Sequence, residues 1–259
     1  MRRTRATSVA CALVLAAAAL TACGGSSGSI GAGAVPSVSP AGPALTYVAI
    51  GASETLGFGA DDPIRQAWTQ VFYRRALPRA ATLVNLGIPG ATAQEALLRE
   101  VPEVARLRPD VVTVWLNVND IVRGVPPDEY RRQIMSLLEE LRGTRGPKVL
   151  VANTPPLGRL PRFAECQPFP PAPGGGCDPT RRLSAEELDA MVSAYNLAIS
   201  EAAARAGAIV VDLHALGVAA QREGTDRELL SRDGFHPSTA GHLAIGRAFA
   251  RALPAIAGR

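Results

Sequence analysis

The chain has 259 residues, 47% of them apolar, which suffices for the core of one α/β domain and excludes global disorder. Its 27 Lys and Arg outnumber its 23 Asp and Glu, but aromatics are only 5% and no basic cluster is interleaved with them, so a nucleic-acid surface is excluded. Arg2, Arg3 and Arg5 fall within the first 22 residues, and without that segment the chain is close to neutral.

Those first residues read as an export signal, with a positive start and an apolar run from Val9 to Leu20 that is short for a permanent span. Leu20-Thr21-Ala22-Cys23 resembles the bacterial lipobox, and the resemblance implies that Cys23 is acylated and becomes the first mature residue. Two or more acyl chains suffice for stable anchoring. Residues 1–22 are thus expected to be a lipoprotein signal. Residues 23–43, rich in Gly, Ser, Ala and Pro, are expected to be a flexible tether of about 25 Å r.m.s. reach. The catalytic candidate domain is then 44–259, exported and held at the envelope face of the membrane. Of the two later cysteines, Cys166 and Cys177 flank one Pro/Gly-rich stretch, and an oxidising compartment makes their disulfide the expectation.

Along the domain, short apolar runs alternate with helical patterns. Strands are expected at Thr46–Ile50, Ala81–Leu86, Val111–Leu116, Lys148–Ala152 and Ala208–Leu213. Helices are expected at Ile64–Leu77, Thr92–Leu107 with a kink or break at Pro102, Asp128–Leu141, Ser184–Ala206 and Pro237–Leu253. Thr92 with Glu95 and Ser184 with Glu187 have capping-box spacing, and Gly207 is a helix stop. Apolar strands separated by helices predict a mostly parallel five-stranded sheet in a three-layer α/β/α sandwich. Residues 155–182, with many prolines and no periodicity, are expected to be a lid or insertion loop.

Ligands of such sheets bind beyond the carboxyl ends of the strands. Ser53, Gly87, Asn117, Asn119, Asp120, Asn153 and His214 gather at those ends. Asp233-Gly234-Phe235-His236-Pro237 places a carboxylate three residues before an imidazole, and Ser53 follows the first strand. Together they can form a Ser–His–Asp relay for acyl transfer. A helix N-cap is the competing role for Ser53, and His214 is the rival base. His242 sits in a helical pattern and reads as packed or solvated. Asp120 reads as a loop brace and Asp61-Asp62 as a helix cap, so no metal is expected. Neither a Gly-x-Gly-x-x-Gly nor a Gly-x-Ser-x-Gly motif is present at the first strand, since Thr55 occupies the last place of the latter.

Four blocks carry a family resemblance: AIGASETLGFGA around Ser53, NLGIPGATA around Gly87, Asn117-Val118-Asn119-Asp120, and Asp233 to Pro237. From Thr46 to Leu253 the chain resembles the SGNH (GDSL-type) hydrolase superfamily, which implies a flavodoxin-like fold. The resemblance makes Ser53 the nucleophile, His236 the general base and Asp233 its partner. It assigns the oxyanion hole to the Ser53 and Gly87 backbone N–H groups and the Asn119 side chain. Ala52 stands where the family has Asp, and Asn117 where it has Gly. The expected activity is ester hydrolysis by a monomer without cofactor or metal, on a small-molecule, lipid or glycan ester. An acyltransferase or deacetylase acting on envelope glycans or lipids, and a catalytically silent binding lipoprotein, remain as alternatives.

Overall fold

The computed structural model describes residues 42–143, 146–161 and 183–253. The signal, the acylation at Cys23, nearly all of the tether, most of 155–182 and the Cys166–Cys177 disulfide are expectations that lie outside the described residues.

The strands are β1 (Thr46–Gly51), β2 (Thr82–Asn85), β3 (Val111–Trp115), β4 (Lys148–Ala152) and β5 (Ile209–Val211). They form one parallel sheet in the order β2-β1-β3-β4-β5, the doubly wound flavodoxin-like arrangement. The helices are α1 (Pro63–Gln66), α2 (Trp68–Ala76), α3 (Ala93–Arg99), α4 (Val101–Leu107), α5 (Val118–Val122), α6 (Pro127–Gly143), α7 (Ala185–Ala206), α8 (Leu213–Glu223) and α9 (Thr239–Ala252).

Strand side chains alternate between two cores, which is why the strands are apolar throughout. Val48, Ile50, Val112, Val114 and Val151 pack beneath α3, α4, α6 and α7. Tyr47, Ala49, Val111, Trp115 and Leu150 face Trp68 and Phe72 of α2 and Ile245 and Phe249 of α9. In the second layer Trp68 stacks on Phe249 at a ring separation of 4.3 Å. In the first, Tyr130 of α6 stacks on Tyr195 of α7 at 3.9 Å. The Tyr130 hydroxyl donates to the Leu116 carbonyl at 2.7 Å, fixing the chain just before Asn117.

Local signals explain most boundaries. Both capping boxes are complete, at Thr92 with Glu95 and at Ser184 with Glu187, and Gly207 ends α7 in the left-handed conformation. The expected break near Pro102 separates α3 from α4 at Glu100, with the proline in the first turn of α4. The expected helix 64–77 is split at Ala67, whose extended ψ of 144° separates α1 from α2. The fifth strand is shorter than expected. Asp212 accepts the Ala215 N–H at 2.8 Å and so caps α8, a helix that apolar periodicity alone did not reveal.

Gly246 of α9 lets that helix lie directly on α2, since a Cβ there would come within 2.5 Å of Val71 Cβ and 2.7 Å of the Trp68 carbonyl. Overpacking of this kind costs about 1–3 kcal/mol. Gly246→Ala is therefore expected to lower the unfolding free energy by an amount in that range, read as a lower urea midpoint at unchanged m-value. A midpoint within error of the parent protein would show that α2 and α9 are not in this contact.

Candidate active site

β1 delivers the chain into a tight turn. Gly51 has φ +154°, and a side chain there would meet Thr55 Oγ1 at 2.2 Å and the Trp115 carbonyl at 2.8 Å. The turn then closes on itself through Thr55 N–H to Ala52 O and Leu56 N–H to Ser53 O, both 3.1 Å. Ser53 is thus held in a tight turn, and it is only 1% exposed.

The partner segment is braced by its own carboxylate. Asp233 Oδ1 accepts the Ser231 hydroxyl at 2.7 Å and the Phe235 and His236 N–H groups at 2.9 Å each. Its Oδ2 lies 2.6 Å from His236 Nδ1. Desolvation pushes this carboxyl up, but the bonds from Ser231, His236 and Phe235 outweigh it and hold Asp233 down at about 2. A permanent carboxylate fixes the proton of His236 on Nδ1 and leaves Nε2 as an acceptor. Ser53 Oγ sits 2.9 Å from that Nε2, and His236 is 5% exposed. Hydroxyl, imidazole and carboxylate form one bonded chain.

Two segments distant in sequence meet here because Gly59 allows it. With φ +91°, it brings its backbone to where a Cβ would lie 2.2 Å from the Pro237 carbonyl and 2.9 Å from His236 Cβ. His242, fully buried, takes the Trp68 N–H on Nδ1 at 3.2 Å and gives its Nε2 proton to Phe58 O at 2.9 Å. Burial lowers its pKa to about 4, so it is a neutral packed residue. His214 is in the first turn of α8, with Nδ1 beside the Thr154 carbonyl and its N–H on Asn153 Oδ1. It lies away from Ser53's bonded chain.

Of the expected oxyanion donors, Asn119 is buried on α5 and gives one amide hydrogen to Ala91 O at 3.1 Å. The second hydrogen of that amide remains for a substrate oxygen. Gly87 is already engaged in the resting structure. Its N–H donates to Asn85 Oδ1 at 3.1 Å, while Asn85 Nδ2 holds the Thr55 carbonyl at 2.7 Å. A Cβ at Gly87 would meet Ala52 O and Thr55 at 3.1 Å, so the missing side chain serves close packing on the nucleophile turn. Asp120 is a brace, as expected, and accepts the Ala93 N–H at 3.0 Å. Asp62 caps α1, and Asp61 bonds to Thr239.

Residues 49–244 match the sequence model of the GDSL-like Lipase/Acylhydrolase family. The chain belongs to that family. It is 26% identical over 124 residues to Esterase TesA of Pseudomonas aeruginosa, an alignment spanning 47% of this chain and 61% of that relative, short of two thirds of its length. In fold it is similar to a crystal structure of TesA, with TM-score 0.58, 20% identity and coverage of 80% and 97% of the two chains. It is likewise similar to a catalytic mutant of an acetylxylan esterase from Geobacillus stearothermophilus, with TM-score 0.57, 21% identity and coverage of 83% and 96%.

Against the GDSL-like pattern, the two departures have local explanations. Ala52 is buried, and no carboxylate stands at that place, but Glu100 reaches in from the α3–α4 junction and accepts the Gly51 N–H at 2.8 Å. Asn117 points its amide to the Ala152 carbonyl at 3.4 Å and so ties the end of β3 to β4. Sequence reasoning missed two residues, Glu54 and Glu100. Glu54 Oε2 lies 3.4 Å from Ser53 Oγ, and only its place beside the nucleophile could have singled it out. Glu100 carried no local signal, because its partner is 49 residues away.

Three acids near the rim ionise well above the usual carboxylate range. Desolvation raises Glu54 to about 7, Glu100 to about 8 and Asp120 to about 7. Unfolded, such groups ionise near 4, so between pH 4 and 8 the native state binds more protons than the unfolded one. Their contribution is complete below pH 4 and is lost as pH rises through 7–8. Asp233 has the opposite sign, its contribution vanishing as pH falls from about 4 to 2. The thermal midpoint is therefore expected to be higher at pH 5 than at pH 8 by roughly 5 °C, about 2 kcal/mol for a domain of this size. Glu100→Gln should shrink the difference; a midpoint that rises toward pH 8 would contradict the burial of these groups as acids.

Proposed function

We propose that the protein is an exported, membrane-anchored serine hydrolase that cleaves carboxylic esters through an acyl-enzyme. The observation that carries this reading is the bonded chain Ser53–His236–Asp233, at 2.9 Å and 2.6 Å, inside a family of lipases and acylhydrolases. His236 takes the Ser53 proton as Oγ attacks the ester carbonyl, and Asp233 stabilises the imidazolium that forms. In this reading the second Asn119 amide hydrogen and the Ser53 N–H donate to the oxygen on which charge develops. Removing one such donor typically costs on the order of 3 kcal/mol of barrier. Collapse expels the alcohol, protonated by His236, and water activated by the same ring releases the acid. The lipobox-like Leu20–Cys23 and the tether after it support the anchoring.

The acyl side of the substrate is read from the cavity beside His236. It is walled by Trp115, Leu157, Leu160, Leu213, Leu216 and Leu230. An apolar space next to the base favours an aliphatic acyl chain over acetyl. Each methylene buried there is worth about 0.8 kcal/mol, or roughly fourfold in kcat/KM.

Ser53→Ala and His236→Ala are each expected to abolish turnover of a p-nitrophenyl ester with little change in thermal midpoint. A fluorophosphonate probe should label the parent protein and not the Ser53 variant; a folded parent that neither labels nor turns over would remove the hydrolase reading. Across acetate to octanoate esters, kcat/KM should climb with chain length. Leu216→Trp, which fills the cavity, should cut the octanoate-to-acetate ratio by about tenfold. A preference for acetate in the parent protein would assign the cavity to something other than the acyl chain.

A further inference from the structure

Glu54 is the titratable group closest to the nucleophile that the hydrolytic cycle does not use. It follows Ser53 directly, is half-buried, and lines the same cavity as His236. Its Oε2 is 3.4 Å from Ser53 Oγ, with Ser53 as the donor, while His236 Nε2 stands 2.9 Å from the same oxygen. A serine hydroxyl has one hydrogen, and here two acceptors face it. The arrangement therefore has two polarities, and the protonation of Glu54 decides which one holds.

We propose that Glu54 is a positioning residue that sets the direction of the hydrogen bonds at the nucleophile. As a neutral acid it donates to Ser53 Oγ and leaves the serine hydrogen to His236; as a carboxylate it draws that hydrogen away from the base. In the neutral form the bonds run one way, from Glu54 to Ser53, from Ser53 to His236 Nε2, and from His236 Nδ1 in turn to Asp233. In the ionised form the Ser53 hydrogen turns to Glu54 and His236 Nε2 faces an oxygen lone pair. This inference rests on the hydrolase reading of Ser53 and His236.

The surroundings favour the neutral acid at and below neutral pH. Desolvation lifts Glu54 to about 7, opposed by the backbone of Glu54 and Ala52 and by the Ser53 hydroxyl. Glu100, facing Gly51 from the α3–α4 junction, is itself raised by burial and by the charge of Glu54. From the C-terminal segment the facing group is His236, itself tied to Asp233. Arg159 and Asp226 also line the cavity, and they pair with each other at 3.7 Å. The bond is long for an O–H···O contact in the resting enzyme, so a small rotation of Glu54 makes or breaks it.

The test is the pH dependence of kcat/KM on a neutral short-chain ester, with release followed by a pH-independent readout. The parent enzyme should give a bell. Its acid limb reports loss of the general base, and its alkaline limb, ionisation of Glu54, should lower kcat/KM at least about tenfold by pH 9. Glu54→Gln, a permanently neutral donor, should keep the acid limb and lose the alkaline one. Glu54→Asp, which retains a carboxyl on a shorter stem, should retain an alkaline limb at a shifted midpoint and serves should the Gln variant not fold. The rate of fluorophosphonate labelling of Ser53 should trace the same bell without any substrate. A parent profile flat from pH 7 to 9, or an alkaline limb unchanged in Glu54→Gln, would overturn the proposal while leaving ester turnover and Ser53 labelling intact. Loss of turnover and labelling in the parent enzyme at every pH would instead strike the hydrolase reading itself.

Discussion

The site depends on one seam, between the turn that follows β1 and the segment that leads into α9. Ser53 and His236 are 183 residues apart, and a single 2.9 Å bond could not hold them together against the entropy of ordering both loops. The seam supplies what that bond lacks. Trp68 N–H to His242, His242 to Phe58 O, Asp61 to Thr239 and the bare backbone of Gly59 against Pro237 all join the same two segments. Behind them, Trp68 stacks on Phe249 and Gly246 lets α9 lie on α2. Packing in the aromatic core therefore sets the distance between hydroxyl and imidazole, and the site inherits its rigidity from helices that touch no substrate.

Electrostatics then differentiates carboxyls that lie only a few ångströms from the relay. Asp233 is partly exposed yet receives four hydrogen bonds, and it stays ionised. Glu54 is desolvated, its contact with another side chain is the long one with Ser53, and burial lifts its pKa to about 7. Desolvation raises both, but Asp233 is the more exposed and the more fully hydrogen-bonded of the two, and both differences hold it down. Carboxyls driven in opposite directions around one nucleophile are the pattern by which a protein assigns separate roles to identical functional groups.

Much of this was legible before any coordinates. Parallel strands buried on both faces have an unmistakable apolar signature, and Thr92, Ser184 and Gly207 carried their capping roles in their spacing. Ser53, Asp233 and His236 stood out because reaction chemistry narrows the residue types, and a three-residue interval can close the Asp–His bond locally. What stayed hidden was long-range or rested on backbone direction. Helix α8 is announced only by Asp212, which had been read as part of a strand end. The bond from the Gly87 N–H to Asn85 Oδ1 was not legible, because which acceptor an amide meets depends on the path of the loop. Glu100 meets Gly51 only after three helices and a strand have folded.

The nucleophile turn shows why those hidden residues belong together. Position 52 is buried in the apolar layer, where an ionised carboxylate would be costly without hydrogen-bond partners. With alanine there, the Gly51 N–H still needs an acceptor, and Glu100 meets it from below as a buried acid whose second oxygen has no partner among the described residues. Glu54 brings a carboxyl to the opposite side of Ser53, toward the cavity. The chain has thus not lost acidity at the nucleophile but moved it, one group beneath the turn to fix its backbone and one beside the hydroxyl. Because the two acids repel each other through the turn, ionising either makes the other harder to ionise. The loop that presents Ser53 is held in a state that favours retained protons, and that state is the one in which the serine hydrogen is directed to His236.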